Sequence, residues 1–573
     1  MNAEQLLAQY ERISDAPNAI AQLRRFVLDL AVRGKLVPQD PREEPQISAL
    51  KRARERLETA ASNTGRLRWK ASVPVDTSEV RKDIPSGWVA ARVNDTGLYV
   101  NGLAFKPSDW KKKGLPIIRI QNLTDPDRQF NFAEGNFPDE VLVRDGDLLV
   151  SWSATLEAFK WERGHGVLNQ HIFRVIPDNG LTIRDFLLLL LQNAIREMAD
   201  GEHAHGLVMT HINREPFVSH VVLIPPLAEQ NRIVAKVAEL MALCTGLEAA
   251  RSERESTRER LTAASLARLN APDPVTFSDD ARFAINALPA LTTRTDQLKQ
   301  LRQTILNLAV RGKLVPQDPN DEPAQNALQA IRAERDELIR LKSIRREGPL
   351  KPVREDEQSF GIPMTWVWVR IGDAALFTQY GTSARAMPSQ HGTPVLTMSN
   401  VQDGLVVWGN EKRISDDSDE LPDLFLKKFD LLYNRTNSAE LVGKTGIYLG
   451  ENDCRTFASY LIRLRLSLAH SSPRYVNLAM NAPVFRETQI VPLIKKQTGQ
   501  ANVNGTALKN MLIPFPPLAE QHRIVAKVDE LVALCKHFEA SLTTADTTRS
   551  RLLEALLAAA LSPIKGCKLE AAE

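Results

Sequence analysis

Pro225-Pro226-Leu227-Ala228-Glu229-Gln230, followed by Arg232-Ile233-Val234-Ala235-Lys236-Val237, returns 291 positions later as Pro516-Pro517-Leu518-Ala519-Glu520-Gln521 and Arg523-Ile524-Val525-Ala526-Lys527-Val528. A second stretch repeats as strictly. Ala31–Pro41 (AVRGKLVPQDP) is spelled identically at Ala309–Pro319, 278 positions on. The 278 offset persists through Ile84-Pro85 and Trp88 against Ile362-Pro363 and Trp366. It still holds at Gly114-Leu115-Pro116 against Gly392-Thr393-Pro394, and at Asn122 against Asn400. The chain is thus a tandem duplication, and its second copy gained 13 residues between the two repeated blocks. The flanks are near-identical, while the middles, about 95–216 and 373–508, diverge widely. Strict flanks imply a shared mechanical task and divergent middles imply two targets; drift after duplication is the competing explanation.

The flanks read as helices. After Pro225-Pro226, which suit a first turn, apolar residues fall at Ile233, Val237, Leu240, Cys244 and Leu247, an a/d seam repeated at Ile524, Val528, Leu531, Cys535 and Phe538. Both cysteines read as small seam residues. The other flank shows the same spacing at Ile20, Leu23, Val27 and Leu30 and at Leu298, Leu301, Ile305 and Leu308. Gly34 and Gly312 suit helix C-terminal caps, and prolines beyond them stop the helix. A charged helix is expected next in each copy, over 47–61 and 325–345. Periodicity alone also fits a dimerisation coiled coil. The duplication favours helices of the two copies packed antiparallel as an internal spacer, with the C-terminal helix meeting the N-terminal one. A helix of about 40 residues would reach about 60 Å, more than one turn of DNA at roughly 34 Å.

The divergent middles read as α/β mixtures with strands near 116–120, 147–151, 171–175, 395–398, 431–434 and 460–464. Basic and amide side chains gather beside them. In the first copy these are Lys106, Lys111, Lys112 and Lys113 around Trp110, then Arg119, Gln121, Asn122, Ser151, Asn169, Gln170 and His171. In the second they are Ser399, Asn400, Asn434, Arg435, Thr436, Asn437, Lys444, Lys495 and Lys496. Lys and Arg neutralise phosphates, and Asn, Gln and Arg pair with base edges, so these residues are DNA-contact candidates. A three-lysine run is equally compatible with a plain solvated face.

Composition is that of a multi-domain globular protein: 573 residues, 43% hydrophobic, 25% charged and a net charge of +3. No apolar run approaches the length of a membrane span and the first residues lack a secretory pattern, so a cytoplasmic protein is expected. Four cysteines show no CxxC spacing. Val442-Gly443-Lys444-Thr445 resembles the end of a phosphate-binding loop, but position 438 is Ser where that loop needs Gly. No methyltransferase or nuclease motif occurs. His203, His205 and His211 have no carboxylate or thiol partner at ligand spacing. No catalytic, cofactor or metal site is expected.

Pro-Pro-Leu-x-Glu-Gln followed by Arg-Ile-Val, present twice, resembles the hallmark of specificity subunits of Type I restriction–modification systems. Gly146–Leu149, Leu168–Phe173, Leu432–Asn437 and Leu441–Lys444 resemble parts of their target-recognition domains. The resemblance covers nearly the whole chain; the long N-terminal helical segment is a departure from the family's shorter members. It implies a non-enzymatic, α+β chain with an internal pseudo-two-fold repeat: two α/β target-recognition domains separated by long antiparallel coiled-coil helices. The expected divisions are a helical segment 1–85, recognition domain 86–224, helical spacer 225–345, recognition domain 346–515 and helical segment 516–573. Each recognition domain would read one half of a split double-stranded DNA target, with Ile233, Val237, Leu240, Ile524, Val528 and Leu531 on spacer or partner helices. Two methyltransferase subunits would bring S-adenosylmethionine, and two restriction–translocase subunits would use ATP and Mg. A DNA-independent coiled-coil scaffold and a single-chain methyltransferase fusion are the competing readings.

Overall fold

The computed structural model describes residues 15–64, 69–80, 84–153, 155–203, 214–271, 273, 275–292, 294–494 and 501–561. The chain forms two compact units, Met1–Arg254 with Asp546–Glu573, and Glu255–Ala545. Each is built around one copy of the repeat.

In the first unit, α1 (Ala19–Val32) and α2 (Gln46–Thr64) precede ten strands, β1 (Val89–Arg92), β2 (Gly97–Asn101), β3 (Leu115–Ile118), β4 (Asn131–Ala133), β5 (Leu142–Val143), β6 (Leu148–Ser151), β7 (Glu157–Lys160), β8 (Gly166–Leu168), β9 (Ile172–Pro177) and β10 (Val221–Ile224). Helix α3 (Arg184–His203) separates β9 from β10, and α4 (Leu227–Asn270) follows, its residues from Glu255 onward belonging to the second unit. Two four-stranded sheets, ordered β2-β9-β6-β7 and β4-β3-β8-β5, form the recognition region. The antiparallel pair β1–β10 closes its base, where the chain enters and leaves. The apolar run Phe186–Leu191 lies inside α3, with Phe186, Leu187, Leu190 and Leu191 buried against Phe173, Val175 and Phe217.

The second unit repeats the plan. Helices α5 (Phe277–Leu291), α6 (Thr295–Val310) and α7 (Ala324–Arg340) lead into β11 (Val367–Arg370), β12 (Ala375–Tyr380), β13 (Thr393–Leu396), β14 (Val401–Gln402), β15 (Leu405–Val406), β16 (Arg413–Ile414), β17 (Leu431–Asn434), β18 (Thr436–Asn437), β19 (Thr445–Ile447), β20 (Thr456–Phe457) and β21 (Leu461–Leu466). After α8 (Pro473–Asn481) come β22 (Ala501–Asn502), β23 (Leu512–Phe515) and α9 (Leu518–Leu561), whose residues from Asp546 onward belong to the first unit. The sheets run β12-β21-β17-β19-β15-β14 and β16-β13-β20, with β11–β23 closing the base.

Matching ladder positions locate the 13 extra residues. The offset is 278 at Asn122/Asn400, 283 at Asp147/Asp430, 289 at Arg174/Arg463 and 291 at Gln230/Gln521. Five residues were added before β17, six between β17 and β20, and two after β21.

The repeated motifs form one clamp in each copy. The buried Glu229 carboxylate accepts from Trp88 Nε1 at 3.0 Å and Gln39 Nε2 at 3.3 Å. Glu520 accepts from Trp366 Nε1 at 2.9 Å and Gln317 Nε2 at 2.6 Å. Burial pushes both carboxyls above the ordinary glutamate range, and the hydrogen bonds oppose that shift. Gln230 accepts from the Ile183 amide and donates to the Leu181 and Pro225 carbonyls; Gln521 accepts from Ser472 N and donates to the Pro516 carbonyl. Arg232 pairs with Glu43, and Arg523 with Asp321. Gly34 and Gly312, both at φ +66°, turn the chain after α1 and α6, and the next residue donates back to Leu30 or Leu308. A Cβ at Gly34 would stand 2.4 Å from Pro85.

Helices α4 and α9 are each 44 residues, about 66 Å long. Their opening turns correct the expected spacer seam. Ile233 and Val237, with Leu240 beside them, pack into the recognition region's own core; Ile524, Val528 and Leu531 do the same in the second copy. An apolar stripe specifies a buried face without naming what covers it. Cys244 and Cys535 are buried, as expected of small seam residues. The end of α9 meets α1: Leu553 and Leu557 pack on Ala19 and Phe26, and Lys35 Nζ caps the Leu561 carbonyl at 2.6 Å. The C-terminal helix therefore does contact the N-terminal one. The end of α4 makes the matching contact with α6, where Leu266 and Leu269 cluster with Leu301. Among the described residues no helix is long and apolar enough to cross a membrane.

Candidate nucleic-acid interface

The strand ends opposite the β1–β10 base gather the separated polar clusters of the first copy. Asn169 N donates to the Ile118 carbonyl at 3.0 Å, Gln170 N to Leu103 O at 2.7 Å, and Trp152 N to His171 O at 3.2 Å. The segments holding Arg119–Asn122, Ser151–Trp152 and Asn169–His171 thus become one surface. A Cβ at Gly102 would stand 2.2 Å from the Asn169 carbonyl, so only glycine fits at that crossing. His171 takes φ 72°, which turns its ring onto Trp152 at 4.7 Å between centroids.

The second copy repeats this backbone frame with other side chains. Ala458 N donates to Leu396 O at 2.8 Å, Ser459 N to Thr382 O at 2.9 Å, and Arg435 N to Tyr460 O at 3.1 Å. Arg435 therefore stands where Trp152 does, Tyr460 where His171 does, and Ser459 where Gln170 does. The Arg435 guanidinium lies 5.0 Å from the centre of the Tyr380 ring and donates to Ser459 O and to Asn502 Oδ1 at 3.1 Å. Thr436 and Asn437 pair with Asn502 and Ala501 as a two-residue ladder. Tyr380, Ser459, Tyr460 and Asn502 were not singled out by sequence. The signal for Ser459 and Tyr460 is the match to Leu168–His171, visible only once the extra residues are placed.

Some candidates are buried or turned onto their own backbone. Asn122 is buried, accepts from Arg119 N at 3.1 Å and donates to Arg128 O at 3.2 Å. Asn400 holds the equivalent turn through Thr397 N at 2.8 Å and Val407 O at 2.9 Å. Ser151 and Asn434 are buried within their strands. These four have the chemistry of surface readers, but a short polar side chain beside a strand end also satisfies local backbone groups. They shape the loops. Gln121, Gln170 and Ser399 are exposed, as are Lys106, Lys111, Lys112 and Lys113; Arg119, Asn169, His171, Arg435, Thr436, Asn437 and Lys444 are half-buried. Lys495 and Lys496 lie outside the described residues, as do His205 and His211. Gly443, in the loop-like Val442–Thr445 stretch, donates to the Asn434 carbonyl at 2.8 Å and serves the turn.

Several cations away from the loop ends are neutralised by carboxylates. Asp147 accepts from Arg174 at 2.9 Å, and Asp430 accepts two bonds from Arg465 while lying 3.8 Å from Arg463. Burial lowers the Arg463 pKa to about 10, against the pull of Asp430. Lys160 pairs with Asp185, Arg144 with Asp139, and Lys427 with Asp453. At the loop ends, Lys106, Lys111, Lys112, Lys113, Arg119, Arg435 and Lys444 carry no ion pair to any described residue. Unneutralised positive charge beside amide and aromatic side chains suits a polyanion that presents flat bases. Among the described residues no three His, Cys, Asp or Glu side chains stand together as a ligand set.

Residues 85–254 and 452–544 match the Type I restriction modification DNA specificity domain. The Type I restriction enzyme EcoAI specificity subunit of Escherichia coli is 26% identical over 564 residues, spanning 95% of this chain and 94% of that one. The chain belongs to the Type I specificity-subunit family. The EcoEI specificity subunit of Escherichia coli is likewise 26% identical, over 95% of this chain and 94% of its own length. Of solved structures, the HsdS subunit from Thermoanaerobacter tengcongensis is 17% identical, with a TM-score of 0.42 over 85% of this chain and 99% of that chain. For this specificity subunit the family hallmark has a physical meaning: it is the Glu–Trp, Gln–backbone and Arg–carboxylate clamp that ties each recognition region to its long helix.

Proposed function

We propose that this specificity subunit reads a split DNA target, with the loop ends of β3, β6 and β8 on one half-site and those of β13, β17 and β20 on the other. The observation that carries the reading is the unpaired positive charge gathered with amide and aromatic side chains at those loop ends, in two regions that share a backbone frame and differ in side chains. The long helices set the gap between half-sites by packing as an antiparallel spacer, and their exposed faces dock two methyltransferase subunits. Those subunits supply S-adenosylmethionine and methylate adenine in each half-site. Two further subunits, driven by ATP and Mg, translocate and cleave DNA. This chain contributes recognition and no bond-making step.

The test is co-expression with the methyltransferase subunit encoded beside it, followed by mapping of methylated adenines across the host genome. A two-part motif that appears only when this chain is present is the expected result. A stable, methylating complex whose motif does not depend on this chain would defeat the proposal.

A further inference from the structure

We infer that Arg119 is a base-reading residue of the first half-site, held by Trp110 to pair with the major-groove edge of a guanine. This deepens the reading above and rests on it.

Arg119 follows β3 at the start of the short helical turn Ile120–Thr124. Its backbone is fixed from both sides: its N–H donates to Asn122 Oδ1, and its carbonyl accepts from Asn122 N at 2.8 Å. Asn122 is buried and tied in turn to the Arg128 carbonyl. The guanidinium carbon lies 5.2 Å from the centre of the Trp110 ring. Its Nε is buried without a partner, and the guanidinium makes no hydrogen bond or ion pair with any described residue. A guanidinium stripped of water at Nε, resting on an aromatic ring and lacking a carboxylate is a planar donor set with nothing to donate to. Stacking on indole removes much of the rotamer entropy that an arginine otherwise loses on binding. The partner that fits two parallel N–H groups in a DNA groove is the O6/N7 edge of guanine.

Position and flanks agree. The neighbouring Lys111, Lys112 and Lys113 are exposed and unpaired, placed to hold the backbone of the same duplex while Arg119 reaches between the strands. The structural equivalent of Arg119 in the second copy is Thr397, whose N–H donates to Asn400 Oδ1 as Arg119 N–H does to Asn122. Equivalents of the three lysines by the 278 offset are Ser389, Gln390 and His391. This reading device therefore belongs to the first half-site alone.

The experiment uses the assembled methyltransferase complex with wild-type chain, Arg119→Lys and Trp110→Ala. Methylated motifs are mapped first. Binding is then titrated against duplexes that change each base pair of the first half-site in turn. Lysine keeps the charge for a phosphate and loses the paired donors. The expected result is that wild-type binding falls roughly 5- to 150-fold when one G·C pair is changed, and that Arg119→Lys abolishes that penalty while others persist. Trp110→Ala should shrink the same penalty, and the second half-site should be unaffected in both variants. The same set of base-pair penalties in Arg119→Lys as in wild type would reduce Arg119 to a phosphate contact and overturn the inference, leaving the specificity reading intact. If the wild-type complex shows no base-pair penalty at all, both fall together. The binding titration remains decisive even if a variant no longer supports methylation in cells.

Discussion

Trp152 in the first recognition region and Arg435 in the second occupy one backbone position, each donating its N–H across to the segment after β8 or β20. Around Trp152 lie His171, Asn169 and, across the ladder, Arg119. Around Arg435 lie Tyr380, Tyr460 and Asn502. The frame is the same to within a few tenths of an ångström in hydrogen-bond length, and the chemistry it displays is different. The clamps show the reverse, because Trp88–Glu229–Gln39 and Trp366–Glu520–Gln317 agree in residue type and in geometry. The duplicated unit is thus fixed in residue type where two of its own parts must fit one another and varied in the side chains that its loop ends display. Backbone hydrogen bonds can keep a frame while side chains change, because a ladder is indifferent to the side chains it carries.

The strongest test of that contrast is exchange of residues 95–216 for the first recognition region of another family member. Only one half of the methylated motif should change, completely; a change in both halves would break the independence of the two regions. Next in size, Trp88→Ala and Trp366→Ala should each destabilise their own unit by about 3–5 kcal/mol, since each removes a buried indole and leaves a buried glutamate short of a donor. Denaturant unfolding of the two variants should give similar losses, and markedly unequal losses would show the clamps are not equivalent. Replacing Lys111, Lys112 and Lys113 together by Ala should flatten the salt dependence of DNA binding by up to about 0.9 in log–log slope per lost phosphate contact. The corresponding Ser389, Gln390 and His391 changes should leave the slope alone.

The smallest effect concerns pH. Burial raises the Glu229 carboxyl, so its ionisation disfavours the folded state. Its contribution to stability is fully present below the unfolded glutamate range and is lost as pH rises through the raised folded value. Glu229→Gln lacks that titration, so the variant's stability deficit relative to wild type should narrow as pH increases from 4 to 8. Glu520→Gln should behave alike, because Glu520 is raised for the same cause. A deficit that widens with pH in either variant would mean the clamp favours the ionised carboxylate.

How much was legible in the sequence follows from these particulars. Two identical clamp motifs expose the duplication, and Gly34 and Gly312 mark the ends of α1 and α6, since only glycine sits easily at φ +66° with a proline 2.4–2.5 Å from its missing Cβ. Strand positions near Leu148, Ile172 and Leu431 were visible from β-branched and aromatic runs bounded by turn residues. The candidate site was half legible. Arg119, His171 and Arg435 stand at the loop ends, but Asn122, Ser151 and Asn434 share their polarity and lie inside. Polarity identifies a group that needs a partner, and water, DNA and a neighbouring carbonyl all qualify. Tyr460 was missed because the 13 added residues are split among three places, which hides the register between the copies, and Tyr380 because it carries neither a charge nor an amide.

By itself, the sequence determined that one unit occurs twice, that long helices flank two divergent α/β regions, and that the chain resembles a DNA-specificity family. These are properties of local pattern and identity, which survive without coordinates. Only the tertiary structure decided that Ile233, Val237, Ile524 and Val528 face their own recognition cores, that the end of α9 caps onto α1, and which cations are left unpaired. Each of those depends on what lies across a long-range contact, and an apolar stripe or a lone charge in sequence states a need without naming the group that meets it.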